Sequence, residues 1–197
     1  MIDAIKAFRT EYEGDDLTFS LASGPVGVMA ATNEAVADSQ DPMLLYVFGA
    51  VILLCLLSFR SLRATLSVVI PLYVVSVLAQ ALMTFLEIGL TVSTLPVIAL
   101  GVGIGVDYGI YILSTMVVHI RAGDTIQAAY LAALKERGSA VLFTGITLAI
   151  GVSTWVFSSL KFQMDMGILL TFMFIVNMLG AIIVLPAIAK LLWWNKK

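Results

Sequence analysis

Leu100-Gly101-Val102-Gly103-Ile104-Gly105-Val106-Asp107-Tyr108-Gly109 carries a single acid in an otherwise uncharged run, close to the middle of an apolar stretch from Thr91 to Val118. A stretch of that length crosses a hydrocarbon core of about 30 Å, which takes roughly 20 helical residues. It has to be a helix, because lipid offers no partner to an unpaired backbone amide. An aspartate at the centre of such a span costs ~2.5–3.5 kcal/mol to insert, so it needs a role or a partner. None of the apolar stretches has a Lys or Arg near that depth, which leaves no intramembrane ion pair within the chain. A carboxyl group in that setting can load a proton from one side and release it when water or a cation arrives. The structural alternative is a permanently protonated acid that hydrogen-bonds a neighbouring helix.

Four more stretches qualify as spans. The set runs over residues 42–59, 64–86, 91–118, 139–160 and 166–192, with Pro71, Pro96 and Pro186 near the ends where a kink is tolerated. Composition agrees: 60% of residues are hydrophobic and 12% charged, with a mean hydropathy of +1.03. A soluble domain carries about 25% charged residues. The expected fold class is therefore an all-α polytopic membrane protein with five transmembrane helices. The net charge of −2 and the lack of a basic cluster argue against nucleic acid as a partner. No cofactor and no metal site is expected. The lone cysteine, Cys55, lies in an apolar run and reads as a packing residue.

Loop charges set an expected orientation. Arg60, Arg63, Arg121, Lys135, Arg137, Lys190, Lys196 and Lys197 fall on one side if the spans alternate, against Glu87, Lys161 and Asp165 on the other. The basic side is then cytoplasmic. This predicts a multi-pass protein of a bacterial inner membrane, with the N-terminal segment periplasmic or extracellular and residues 194–197 a cytoplasmic tail. Residues 1–41 are acidic, with Asp3, Glu11, Glu13, Asp15, Asp16, Glu34, Asp38 and Asp41 against Lys6 and Arg9. Within them Leu17, Phe19 and Leu21 alternate with Thr18 and Ser20 as in a half-buried strand, Gly24-Pro25 breaks the chain, and residues 26–39 read as a helix. An unpaired strand is unstable alone, so this short α/β segment reads as the end of a larger extracytoplasmic domain. Residues 124–137 predict an amphipathic helix at the inner interface, capped by Asp124 with Gln127 and ended at Gly138.

Gly101, Gly105 and Gly109 recur every four residues, a small-residue stripe that lets helices approach closely. Tyr111 and Ser114 follow Asp107 by four and seven residues and share its face. Thr144 and Thr147, with Gly151, Thr154 and Ser158, make a hydroxyl-bearing stripe on the fourth span, and Asn177 is an isolated amide in the fifth. Tyr111, Ser114 and Asn177 are the candidate polar partners of the acid. Each of these groups taken alone is more often helix-packing glue than a relay.

Gly103-Ile104-Gly105-Val106-Asp107-Tyr108 resembles the Gly-x-x-x-Asp-Tyr signature of the resistance–nodulation–division (RND) superfamily, in particular its lipid and hopanoid exporter-like branches. The order of Asn33, Phe59-Arg60-Ser61, Pro71, the amphipathic helix, Gly138 and Thr144-x-x-Thr147 is similar as well. The resemblance covers nearly the whole chain and matches the last five helices of such a transporter. It implies proton-motive-force-driven export of hydrophobic or lipidic substrates. Asp107 would be the proton relay, Tyr108 its hydrogen-bonding neighbour, and Thr144 and Thr147 part of a facing relay helix. It further implies that residues 1–41 end a porter domain and that residues 42–193 form a five-helix membrane domain.

Such transporters have twelve membrane helices in two repeats, so this chain is expected to act with the N-terminal half or a homologous chain, in contact with membrane lipids, and with self-association open. The alternative is a non-transporting five-helix lipid- or sterol-sensing module or assembly factor, which would have no need of a titrating acid. Hydrolytic chemistry is not expected: the one histidine, His119, lies at a membrane edge without a nucleophile or metal partner.

Overall fold

The structure, a computed structural model, describes Phe8, Glu11, Tyr12 and residues 24–89 and 94–193. Five helices are long and apolar enough to cross a membrane, and no strand occurs among the described residues. The strand expected over Leu17, Phe19 and Leu21 lies outside them; Phe8, Glu11 and Tyr12 are helical.

Helix α1 spans Pro25–Phe59. Gly24 starts it with φ 83, a left-handed value that glycine tolerates, and Pro25 occupies the first turn, where its missing N–H has no partner to lose. The first span was expected to begin at Pro42, but the helix runs through that proline without a break. Its 35 residues make a rod about 52 Å long at 1.5 Å per residue. That exceeds the hydrocarbon thickness of about 30 Å. Helix α2, Leu62–Phe85, follows a tight turn in which Arg60 takes the left-handed conformation with φ 49. Helix α3, Leu95–Arg121, carries the glycine stripe and Asp107.

Helix α4, Ile126–Ala133, is the amphipathic segment. It differs from expectation at both ends. Thr125, not Asp124, caps it: the Ala128 N–H donates to Thr125 Oγ1 at 3.3 Å. Gly138 does not end it either. The chain passes through a π turn, Leu134–Gly138, directly into α5, Ser139–Ser153. A π turn absorbs one extra residue, and so continues the interfacial helix into the span instead of stopping it. A 3-10 turn, Thr154–Phe157, closes α5 short of the expected Leu160. The last span begins a turn earlier than expected, as α6, Lys161–Leu179. It continues through a second π turn, Gly180–Val184, into α7, Leu185–Trp193.

Helix α3 is the hub. It packs against α1, α2, α4 and α6, while α5 lies along α6 and hardly touches α3. The core is built from Val51 and Cys55 of α1, Val68 and Leu72 of α2, Val102, Val106 and Leu113 of α3, and Leu170 and Met173 of α6. Lipid is as apolar as these side chains, so their association rests on close packing and interhelical hydrogen bonds. Glycines supply the closeness. A Cβ on Gly101 would overlap the Met173 side chain, and one on Gly109 would come within 2.9 Å of Val68. On the other side of α6, a Cβ on Gly145 of α5 would lie 2.5 Å from Met178 Sδ.

Pro186 explains a second tie. It has no N–H to offer the carbonyl four residues back, that of Ile182. The Tyr130 hydroxyl donates to Ile182 O at 2.8 Å, so the amphipathic helix supplies that carbonyl with a donor. Tyr130→Phe is expected to lower stability by about 0.5–1.5 kcal/mol, the net worth of a hydrogen bond to a half-buried acceptor. Thermal unfolding of the purified chain in detergent checks this, and an unchanged midpoint would show that the bond carries no weight.

Candidate functional site

Asp107 sits midway along α3, on a face the five-helix bundle does not cover. Gly103 and Asp107 are exposed, Tyr111 is 53% exposed, and Ser114 is half-buried with its hydroxyl donating to Tyr111 O at 3.2 Å. These positions follow one another at three- and four-residue steps, as helical periodicity dictates. Among the described residues Asp107 makes no hydrogen bond or ion pair. The uncovered face is otherwise apolar: Leu100 is 50% exposed and Val118 66%.

Tyr108 turns the other way. One helical step carries it into the core, where it is 1% exposed and its hydroxyl has no hydrogen-bond partner. The expected bond between Tyr108 and Asp107 is therefore absent, because adjacent positions on a helix point about 100° apart. Thr144 and Thr147 are exposed on α5. Since α5 packs along α6, the bundle does not bring these threonines to Asp107. Gly151 is exposed on the same helix and Thr154 on the 3-10 turn after it, and the Thr154 hydroxyl donates to Gly151 O at 2.7 Å.

Asn177 is also absent from the Asp107 face. It is 4% exposed between α6 and α3, and its Nδ2 donates to Gly101 O at 3.0 Å. Gly105 makes room for it: a Cβ there would fall 2.5 Å from Asn177 Cγ. The glycine stripe and the amide thus form one interhelical lock behind the acid. Gly101 and Gly105 face Met173 and Asn177 in matching order, so α3 and α6 run parallel. Asp107 is carried on the exposed side of that joint.

One constellation escaped sequence reasoning. His119, at the end of α3, has Nδ1 3.0 Å from Asp124 Oδ2 and Nε2 3.1 Å from Glu136 Oε1. A protonated imidazole donates to both carboxylates at once. This joins the Asp107 helix to the loop before α4 and to the π turn after it. The expectation for His119 concerned only nucleophiles and metals and did not include these two carboxylates. Glu136 follows His119 by 17 residues, a spacing that says nothing until the loop and the π turn are known.

The MMPL family model matches residues 1–193. The probable transport protein MmpL12 of Mycobacterium tuberculosis is 28% identical over 187 residues, which cover 90% of this chain and 16% of that protein. The putative membrane protein MJ1562 of Methanocaldococcus jannaschii is 24% identical over 147 residues, 75% of this chain and 38% of that protein. The chain thus spans 16% of the length of its mycobacterial relative.

Proposed function

The chain belongs to the MMPL family of RND-type transporters, and from that premise we propose that it is the C-terminal membrane portion of a proton-motive-force-driven exporter of hydrophobic or lipidic substrates. Asp107 is its proton-carrying group. Residues 1–41 end a porter domain on the outer side, and the basic face lies towards the cytoplasm of the bacterial inner membrane. The observation that carries this reading is the position of Asp107, halfway along α3 and on an uncovered face. A carboxyl group at that depth is costly against lipid. A second set of helices laid over Gly103, Asp107 and Tyr111 would remove it from lipid and give it polar company. The mycobacterial relative has ample length for such helices.

In this reading Tyr108 is a support inside the bundle, and Thr144 and Thr147 join the relay only if the covering helices bring them to it. Movement of α3 on proton binding would be passed to α6 through the Asn177–Gly101 bond and to α4 through His119. Vesicles holding the assembled transporter should export a labelled lipid in step with proton movement, and an ionophore that collapses the gradient should stop export. Export that continues unchanged without a gradient rejects the reading.

A further inference from the structure

A cavity of about 600 Å³ opens on the basic face, between the start of α2, the end of α3 and the loop into α4. Its walls mix Ala64, Val117 and Ile120 with Ser61, Arg121 and Thr125. The charge balance inside it is informative. It holds one carboxylate, Asp124, whose Oδ2 is taken by His119 at 3.0 Å. Arg121 makes no ion pair among the described residues. The cavity therefore presents an unpaired guanidinium beside a carboxylate already engaged elsewhere. Arg60 and Arg63 flank Ser61 in sequence and add to the positive field.

We propose that this cavity binds the phosphate headgroup of an anionic phospholipid from the leaflet on the basic side. The location selects the occupant. The cavity sits where two spanning helices meet the membrane surface, and basic pockets of that kind take acidic lipid headgroups. The volume lies within the ordinary range for small-molecule sites. The apolar walls suit the glycerol and the first carbons of the chains, while Arg121 offers a planar pair of donors to a phosphate. His119 acts at one remove: it keeps Asp124 from closing an ion pair with Arg121. The proposal does not depend on Asp107 moving protons, so it can fail or stand independently of the function proposed above.

The test uses the chain in nanodiscs of nine parts phosphatidylcholine to one part phosphatidylglycerol, with retained lipids identified by native mass spectrometry. The wild-type chain should enrich phosphatidylglycerol over the bulk ratio. Arg121→Gln should lower that enrichment about fivefold, the effect of one basic residue at a membrane surface, and Arg121→Lys should retain most of it. Val117→Phe, a half-buried lining position whose larger side chain narrows the cavity without touching charge, should also lower it, and so should His119→Gln. Arg137→Gln, on the same face but outside the cavity, should leave it unchanged. Equal losses in Arg137→Gln and Arg121→Gln would mean diffuse surface charge and overturn the site. Enrichment that survives both Arg121→Gln and Val117→Phe overturns it as well. Displacement of the lipid by millimolar inorganic phosphate would identify a free-anion site and overturn the lipid assignment.

Discussion

Replacing Asp107 with Asn in the assembled transporter is expected to lower gradient-driven export roughly 100-fold or more, the scale of losing a positioned proton-transfer group. The amide matches the carboxyl group in size and keeps hydrogen-bonding capacity, but it cannot take up and release a proton. Packing should be nearly untouched, because Asp107 lies on an exposed face and touches no hydrogen-bonding partner in the bundle. The chain should therefore be inserted and melt normally while export is lost. Export assays in vesicles, with protein level and melting point measured beside them, separate the two effects. Normal export by a normally folded Asp107→Asn transporter would remove Asp107 from the mechanism and favour a lipid-binding module that does not pump.

Gly105→Val should have the opposite signature, failing through the fold. Its Cβ would lie 2.5 to 2.7 Å from three atoms of the Asn177 amide, closer than real contacts allow. The amide sits at the core of the α3–α6 joint, so it has no free direction to move. Overpacking of this kind costs about 1–3 kcal/mol. Breaking the Asn177–Gly101 bond adds about 0.6–1.7 kcal/mol, the range for hydrogen bonds between membrane helices. Together these imply a melting point lower by roughly 10 °C. Gly103→Ala is the control: a Cβ there meets nothing within 4 Å, so the midpoint should hold or rise. If both variants melt with the wild type, close approach at Gly105 contributes nothing.

The fold was largely legible because its strongest determinant, long uncharged stretches, is written along the chain. Helix ends were less so. Pro42 looked like a start, yet a proline near the membrane surface can sit inside a continuous helix, where water serves the carbonyl it leaves unpaired. Gly138 looked like a stop, yet it adopts ordinary helical angles in a π turn. Both misreadings arise because a residue type biases local geometry only until tertiary context overrides it.

The candidate site divides in the same way. Helical periodicity placed Tyr111 and Ser114 on the face of Asp107, as the structure does, and the structure adds Gly103 to it. Assembling Thr144, Thr147 and Asn177 around Asp107 required knowing which helices touch, and span order alone does not say that. Alternating spans align residues in depth; they do not decide that α5 lies against α6 and away from α3. His119 with Glu136, and Tyr130 with Ile182, were hidden because each depends on a backbone irregularity between the partners.

The bond between Tyr130 and the Ile182 carbonyl also has an evolutionary reading. Residue 186, being proline, offers that carbonyl no N–H, and the Tyr130 phenol supplies a donor in its place. Neither residue explains itself without the other, although 56 positions separate them in the sequence. A descendant that trades Pro186 for a residue with an N–H regains the intrahelical bond and releases Tyr130 from its duty. A descendant that loses Tyr130 first carries an exposed defect until residue 186 follows. Drift at this pair is therefore ordered in time, with the proline free to change before the tyrosine.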